Sequence, residues 1–314
     1  MPTATREHPL PLPPGWQRTT SRDGTDVAWR LDGPRRLIRN GVVAPSEVAV
    51  VLCNGVTCDE TYFRHVWAPL AEHSPVIRWH YRGHALSAPP ADPDGVTVDA
   101  VVEDLSAVVD AAGVQRAVLV GHSYGAKIAV EGHRQLPGRV VGLATVAGWP
   151  GRALPTIAGR NLATVVFEGM RLAWRPAPVL SAWRAALRSP LAFPVARLMG
   201  FVGPKTPRVD MDDWFGKLAE RDMDLMFRMM RAMQAHTSVA HLPDVDVPAV
   251  VMMGGRDIYT PPRLGHYMVD LMPNARLVVV PGTTHVLPVE EPGEVVREVR
   301  RVLRQAGGTA PPTP

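Results

Sequence analysis

The run Ala117-Val118-Leu119-Val120-Gly121-His122-Ser123-Tyr124-Gly125-Ala126 carries most of the information about this chain's architecture. Its first four residues are a continuous apolar run, the pattern of a strand covered on both faces. Residues 126–135 then follow a helical pattern. Between the two lies G-x-S-x-G, a serine flanked by small residues. A turn tight enough to lead a strand straight into a helix needs small neighbours. Such a turn holds the serine hydroxyl above a sheet. It also places the hydroxyl at a helix N-terminus, where free amides and the helix dipole favour a developing negative charge.

Short apolar runs at Val48–Cys53, Val76–Trp79, Val140–Val146, 249–253 and 277–280 predict further strands. Helical stretches at 98–112, 263–272 and 294–304 lie among them. Val98, Val101, Val102, Leu105, Val108 and Val109 form one stripe that stops at Gly113. This alternation predicts an α/β fold: a mostly parallel open sheet flanked by helices. Residues 16–20 and 27–31, around Arg22-Asp23-Gly24, predict an antiparallel edge hairpin.

The alternation breaks between about Trp149 and Leu242. That stretch has no strand pattern and is rich in Ala, Leu, Met, Trp, Arg and Pro, which predicts several short helices. The expected organisation is a core domain of residues 16–148 and 243–306, with 149–242 inserted as a helical lid. Residues 1–15 and 307–314 are expected to be flexible termini.

Composition narrows the function. Of the 314 residues, 46% are hydrophobic and 20% charged, the balance of a globular chain with a sizeable core. No apolar run approaches the ~18 residues of a membrane span, and the N-terminus lacks the apolar region of a secretory signal. Two cysteines, Cys53 and Cys58, cannot form a disulfide scaffold and are expected as reduced, buried thiols in a cytoplasmic protein. The net charge is +4, but only Lys127, Lys205 and Lys217 are lysines, and the arginines are interleaved with acids. No nucleic-acid partner and no stable membrane insertion are expected.

A serine needs a base and an orienting acid to act as a nucleophile. Residues 250–257 (VVMMGGRD) read as a strand and a loop presenting Asp257. The run 277–280, followed by Pro281-Gly282-Thr283-Thr284-His285, presents His285 in the same way. Ser123, Asp257 and His285 would then all project from the C-terminal ends of strands, where open α/β sheets place their sites.

In these residues and their order the chain resembles the α/β-hydrolase family, from about Val48 to Val302. The resemblance implies a lidded serine hydrolase of esterase or lipase type, with Ser123, Asp257 and His285 as the catalytic residues. It also implies an oxyanion hole from the backbone amides of Val56 and Tyr124. Asn54-Gly55-Val56 stands where the family usually has His-Gly-x, so Asn54 replaces a histidine. Residues 80–87 (HYRGHALS) match the family's Asp-x-x-Gly-His-Gly-x-Ser, with His80 for the acid and Ala85 for a glycine. They are expected to form a structural turn. Serine at 123 disfavours the branches that use an aspartate nucleophile, and Ala147-Gly148-Trp149 offers no carboxylate at the alternative acid position.

The expected reaction is cleavage of a carboxylic ester, or a related thioester or lactone, through an acyl-enzyme on Ser123. The alternatives are other chemistry on the same three residues (carbon–carbon bond hydrolysis, acyl transfer or perhydrolysis) or a non-catalytic ligand-binding protein. No cofactor and no metal are expected. Gly121–Lys127 fails the phosphate-loop pattern at Ala126-Lys127-Ile128, no G-x-G-x-x-G follows the first parallel strand, and H-E-x-x-H and C-x-x-C are missing. Within 222–235 (DMDLMFRMMRAMQA) methionines recur at helical spacing. Met226, Met230 and Trp149 are expected to line a pocket for a small-molecule ester or acyl substrate of medium, largely apolar character. The same apolar surface is compatible with a homodimer.

Overall fold

The computed structural model describes residues 11–34, 38–39, 42–43, 48–152, 160–174 and 176–307. Most of the expected flexible termini, residues 1–10 and 308–314, lie outside the described residues.

Eight strands form the main sheet. They are β1 (Gln17–Thr20), β2 (Asp26–Asp32), β3 (Val48–Cys53), β4 (Val76–Trp79), β5 (Arg116–His122), β6 (Val140–Val146), β7 (Ala249–Gly254) and β8 (Ala275–Val280). Their spatial order is β1-β2-β4-β3-β5-β6-β7-β8. The hairpin β1–β2 and the β2–β4 pair are antiparallel, and the other pairs are parallel.

The apolar runs are continuous because alternate residues face two different cores. In β3, Val48, Val50 and Leu52 pack on one side of the sheet, and Ala49, Val51 and Cys53 on the other. In β5, Val118 and Val120 face the first side, and Ala117 and Leu119 the second. Helices α1 (Trp67–Ala71) and α11 (Pro292–Gln305) cover the first side through Leu70, Val295, Val299 and Val302. The second is covered by α2 (Val98–Ala111), α3 (Tyr124–Gln135) and α9 (Pro262–Leu271), with Val101, Leu105, Ile128 and Met268 fully buried. Burying such a side chain stabilises the fold by roughly 1.5–3 kcal/mol. The exception is β8, which is half-buried over most of its length because it is an edge strand.

Helix α2 starts at the Thr97 cap, whose hydroxyl accepts the Ala100 amide at 3.1 Å, and is followed by Gly113 at φ +69°. Between β6 and β7 run α4 (Arg160–Ala173), α5 (Ala177–Leu187), α6 (Ala192–Leu198), α7 (Arg208–Leu218) and α8 (Met223–Ala235), with no strand among the described residues of this insertion. Helix α8 sends Met223, Leu225, Met226, Phe227 and Met229 into the same core as α2 and α3. Helix α7 sends Met211, Trp214 and Phe215 into a separate cluster with Tyr62, Val286 and Val289, in the segments that follow β3 and β8. A short α10 (Leu287–Glu290) precedes α11.

Candidate active site

Ser123 sits between β5 and α3 with φ 54° and ψ −115°. A non-glycine residue in that region stores about 1–3 kcal/mol of strain. The surroundings hold it there. The Ser123 amide donates to the Val146 carbonyl at 3.1 Å. A Cβ on Gly121 would fall 2.1 Å from the Gly125 oxygen, and one on Gly125 would fall 2.0 Å from the Cys53 oxygen. The two glycines of G-x-S-x-G are therefore fixed by close backbone approach.

The Ser123 hydroxyl lies 2.9 Å from His285 Nε2, and His285 Nδ1 lies 2.9 Å from Asp257 Oδ2. This network assigns the proton to Nδ1 and leaves Nε2 to accept from the serine. Asp257 is almost wholly buried. Its Oδ1 accepts the amides of Tyr259 at 2.8 Å and Thr260 at 2.9 Å, and its Oδ2 accepts the Thr260 hydroxyl at 2.6 Å. Burial pushes its carboxyl up, but His285 and the Thr260 hydrogen bonds outweigh that and hold it below the usual carboxylate range.

Residues 54–58, after β3, form the loop that faces Ser123. The Asn54 side-chain amide donates to the Trp79 carbonyl at 3.3 Å, the Tyr81 hydroxyl donates to the Asn54 carbonyl at 2.8 Å, and the Cys58 amide donates to the Gly55 carbonyl at 3.1 Å. His84 Nε2 donates to the Val56 carbonyl. His84 is kept neutral at neutral pH, with its imidazole pushed down to about 4 by burial and then by Arg221. The turn carrying Tyr81 and His84 is itself clamped. Arg82, fully buried, makes a two-pronged ion pair with Asp104 of α2 at 2.8 and 2.6 Å. Residues 80–87 thus form the expected structural turn, and it also braces the loop beside Ser123. Asn54, in the place of the family's usual histidine, ties the same loop to β4.

A cavity of about 320 Å³ opens onto Ser123 and His285. Gly55, Val56 and Tyr124 line it beside Ser123, and Trp149, Met230, Met233, Trp214 and Phe201 contribute apolar side chains. Trp149 and Met230, both expected to line a pocket, line this cavity. Met226 does not: it is fully buried in the core and does not line the cavity. It shares the stripe of Met230 and Met233, one turn nearer the start of α8. There the helix packs against the turn at Gly83, and a Cβ on Gly83 would collide with Leu225.

Several contributors carry no sequence signal of their own. His122, at an unrestricted position of the motif, donates from Nε2 to the His285 carbonyl at 2.9 Å and stacks on Tyr62 at 4.7 Å. Tyr81 gains its place through a tertiary contact, and Thr260 through its hydrogen bonds to Asp257 three residues earlier. Cys53 and Cys58 are both free and buried, and burial pushes each thiol up to about 12. Among the described residues no group of three or more His, Cys, Asp or Glu side chains could hold a metal ion. No helix among them is long and apolar enough to cross a membrane.

This geometry agrees with comparison to known proteins. A family model described as the alpha/beta hydrolase family matches residues 50–299. The chain belongs to the alpha/beta hydrolase family. An uncharacterized protein of Mycobacterium tuberculosis is 26% identical to this hydrolase over 296 residues, which span 87% of this chain and 79% of that one. The pimeloyl-[acyl-carrier protein] methyl ester esterase of Aliivibrio fischeri is 25% identical over 252 residues, spanning 76% and 89%. Among solved structures, an esterase from Thermogutta terrifontis superposes with a TM-score of 0.70 at 21% identity, covering 93% of this chain and 98% of that one. The protein is an enzyme of hydrolase type built on the α/β-hydrolase fold.

Proposed function

We propose that this hydrolase cleaves carboxylic esters, or closely related thioesters or lactones, through an acyl-enzyme on Ser123. The observation that carries the reading is the chain of two 2.9 Å contacts from Ser123 through His285 to Asp257 at the floor of the cavity. As Ser123 Oγ attacks the acyl carbonyl, its proton passes to His285 Nε2. Asp257 holds the imidazole in position and stabilises the imidazolium. The carbonyl oxygen becomes an oxyanion that accepts from the amides of Val56 and Tyr124. The Tyr124 amide opens α3 and has no partner of its own within the helix. Removing such a donor typically lowers kcat by about 10²–10³-fold. Collapse of the intermediate breaks the bond to the leaving alcohol, which takes the proton from His285. A water molecule, deprotonated by His285, then attacks the acyl-serine; the bond to Ser123 Oγ breaks, Oγ takes the proton back from His285, and the acid leaves.

In the same reading, residues 16–148 and 243–306 are the catalytic domain, and 149–242 is a lid over the acyl pocket. The cavity volume is at the low end of the ~300–1,000 Å³ usual for ligand pockets, which suits an acyl group of small to medium size. The two buried free thiols suit a cytoplasmic enzyme. The test is turnover of p-nitrophenyl esters from acetate to palmitate by the wild type and by Ser123→Ala, with labelling of Ser123 by an alkyl phosphonate. Activity peaking at short or medium chains and lost in the variant is expected. Folded protein that neither hydrolyses any of these esters nor takes the phosphonate would overturn the proposal.

A further inference from the structure

The large hydrophobic side chains left exposed are not scattered over this protein. Thirteen stand exposed among the described residues, and eight of them fall between Met170 and Val209, within the insertion. Single exposed apolar residues are ordinary, but a cluster marks a surface with a partner. Four of the eight form one stripe on α6 and the residues that flank it. Leu191, Val195, Leu198 and Met199 recur at i, i+4, i+7 and i+8, the spacing of one helix face, and are 68%, 51%, 88% and 67% exposed. Phe193, which that spacing places on the opposite face, is buried with Trp214 and Tyr62. The stripe continues onto the loop after β7, where a Cβ on Gly200 would lie 3.6 Å from the exposed Ile258. Phe201 and Tyr259, the next residues after Gly200 and Ile258, line the cavity above Ser123.

The stretch of chain that carries this face is basic. Residues 169–209 include six arginines and one lysine and no Asp or Glu. Arg197, in the last turn of α6 beside Leu198, is exposed and has no ion pair among the described residues. Arg208 donates to the Pro190 carbonyl at 3.1 Å, just before the stripe, and its guanidinium lies 5.7 Å from the Phe193 ring. Arg188 stands three residues before Leu191. The acids that reach the last two come from outside the stretch: Asp212 meets Arg208 at 3.1 Å and Glu220 meets Arg188 at 3.5 Å. All four of those side chains are about half exposed or more, and ion pairs of that kind contribute little.

We propose that this face of α6 docks on an anionic membrane surface, with the four apolar side chains entering the headgroup boundary and Arg188, Arg197 and Arg208 meeting lipid phosphates. The docking is peripheral, since no described helix is long and apolar enough to cross a bilayer. A second copy of the chain is a poorer occupant, because a two-fold pairing of this face brings the same arginines together. Anionic headgroups turn those charges into attraction, and each basic residue near such a surface adds roughly 5-fold to binding. Docked in this way, the protein holds the wall of its Ser123 cavity close to the lipid, where apolar esters concentrate. That consequence rests on the proposed esterase reading; the docking itself does not.

The experiment is co-sedimentation of the full chain with sucrose-loaded vesicles, of phosphatidylcholine alone and of an equal mixture of phosphatidylcholine and phosphatidylglycerol. The mixed vesicles are expected to bind the protein about 10-fold or more tightly than phosphatidylcholine, and to lose most of that advantage when salt is raised from about 0.05 M to about 0.5 M. The double variant Leu198→Gln, Met199→Gln removes the apolar tip of the stripe without adding charge and is expected to bind the mixed vesicles about 10-fold more weakly. Arg197→Gln is expected to bind them about 3–5-fold more weakly. Thermal melting shows whether each variant is folded, and Leu191→Ser with Val195→Ser serves as a second apolar variant should the first one fail to fold. Equal binding to the two kinds of vesicle, binding to neither, or binding that survives the loss of the apolar stripe would overturn the proposal. So would light scattering that shows a wild-type dimer which the double variant abolishes, since the face would then join two copies of the chain. None of these readouts needs turnover, so a protein that binds the mixed vesicles as described but hydrolyses no ester would keep this inference and lose the esterase reading.

Discussion

The imidazole of His122 donates from Nε2 to the backbone carbonyl of His285 at 2.9 Å, so the residue before Ser123 holds the loop that carries His285. The contact crosses from β5 to the loop after β8, two elements that are not neighbours in the sheet. His122 is wedged by its stacking on Tyr62 at 4.7 Å. His122→Phe keeps a ring for that stack but leaves the His285 carbonyl unpaired. On the proposed mechanism, kcat is expected to fall about 10–100-fold, the equivalent of roughly 1.4–2.8 kcal/mol, with KM changed much less. His122→Gln, which offers a donor at similar reach, is expected to recover part of the loss. Steady-state kinetics of the two variants check this, and equal losses in both would show that the hydrogen bond is not what positions His285.

Tyr81 tests the loop opposite. Its buried hydroxyl donates to the Asn54 carbonyl at 2.8 Å, one residue before the Gly55–Val56 peptide whose amide is proposed to bind the oxyanion. Tyr81→Phe keeps the ring packed against Trp79 and Tyr124 but orphans that carbonyl. A loss of about 1–3 kcal/mol in stability is expected, with a drop in kcat on p-nitrophenyl esters. Thermal melting and kinetics on the same preparation separate the two effects. An unchanged kcat in a destabilised protein would mean that the loop keeps its place without Tyr81.

Much of the sheet domain was legible in the sequence because its signals are local. Val48–Cys53 and Val140–Val146 are apolar throughout, since both faces of those strands are covered, and G-x-S-x-G marks a turn whose glycines have no room for a Cβ. The candidate acid and base could be read from the loops that follow two such strands. What could not be read depends on how distant segments meet. Met226 and Met230 share one helical stripe, yet only Met230 reaches the cavity, because α8 is pressed onto the Gly83 turn along its first half. Tyr81 and His122 are ordinary residues at unremarkable spacings, and each matters through a tertiary hydrogen bond.

Gly125→Ala asks how strictly the turn is packed. Its added Cβ would lie 2.0 Å from the Cys53 oxygen and 2.6 Å from the Cys53 carbonyl carbon, at the end of β3. Backbone at the centre of a sheet cannot move aside as a flexible side chain does. The variant is expected to lose more than about 4 kcal/mol of stability, in the range reserved for severe steric or buried-charge defects, or to be recovered only as aggregate. Urea denaturation of whatever soluble protein is obtained measures it. A loss below about 1 kcal/mol, ordinary for a point substitution, would show that β3 and α3 can separate.

Lys127 links the insertion to the helix that follows Ser123. It is almost fully buried on α3, and its ammonium donates to the carbonyls of Met233 and His236 at the end of α8, at 2.5 and 2.8 Å. Burial, and then the nearby Arg152, push its pKa down to about 7, against a smaller upward pull from Glu131. Glu131 is itself held as a carboxylate by His236 and Arg134. A lysine that binds its proton less tightly when folded leaves the unfolded chain with more bound protons between pH 7 and the ordinary lysine range. Its contribution to stability therefore rises with pH through that window. Relative to Lys127→Met, the wild type is expected to gain about 2–4 kcal/mol between pH 7 and pH 10, at roughly 1.4 kcal/mol for each pH unit over which only the unfolded chain holds the proton. Below pH 7 the two are expected to run parallel. Urea denaturation at pH 6, 7, 8.5 and 10 gives the curves, and a constant difference across the whole range would show that Lys127 does not titrate within the fold.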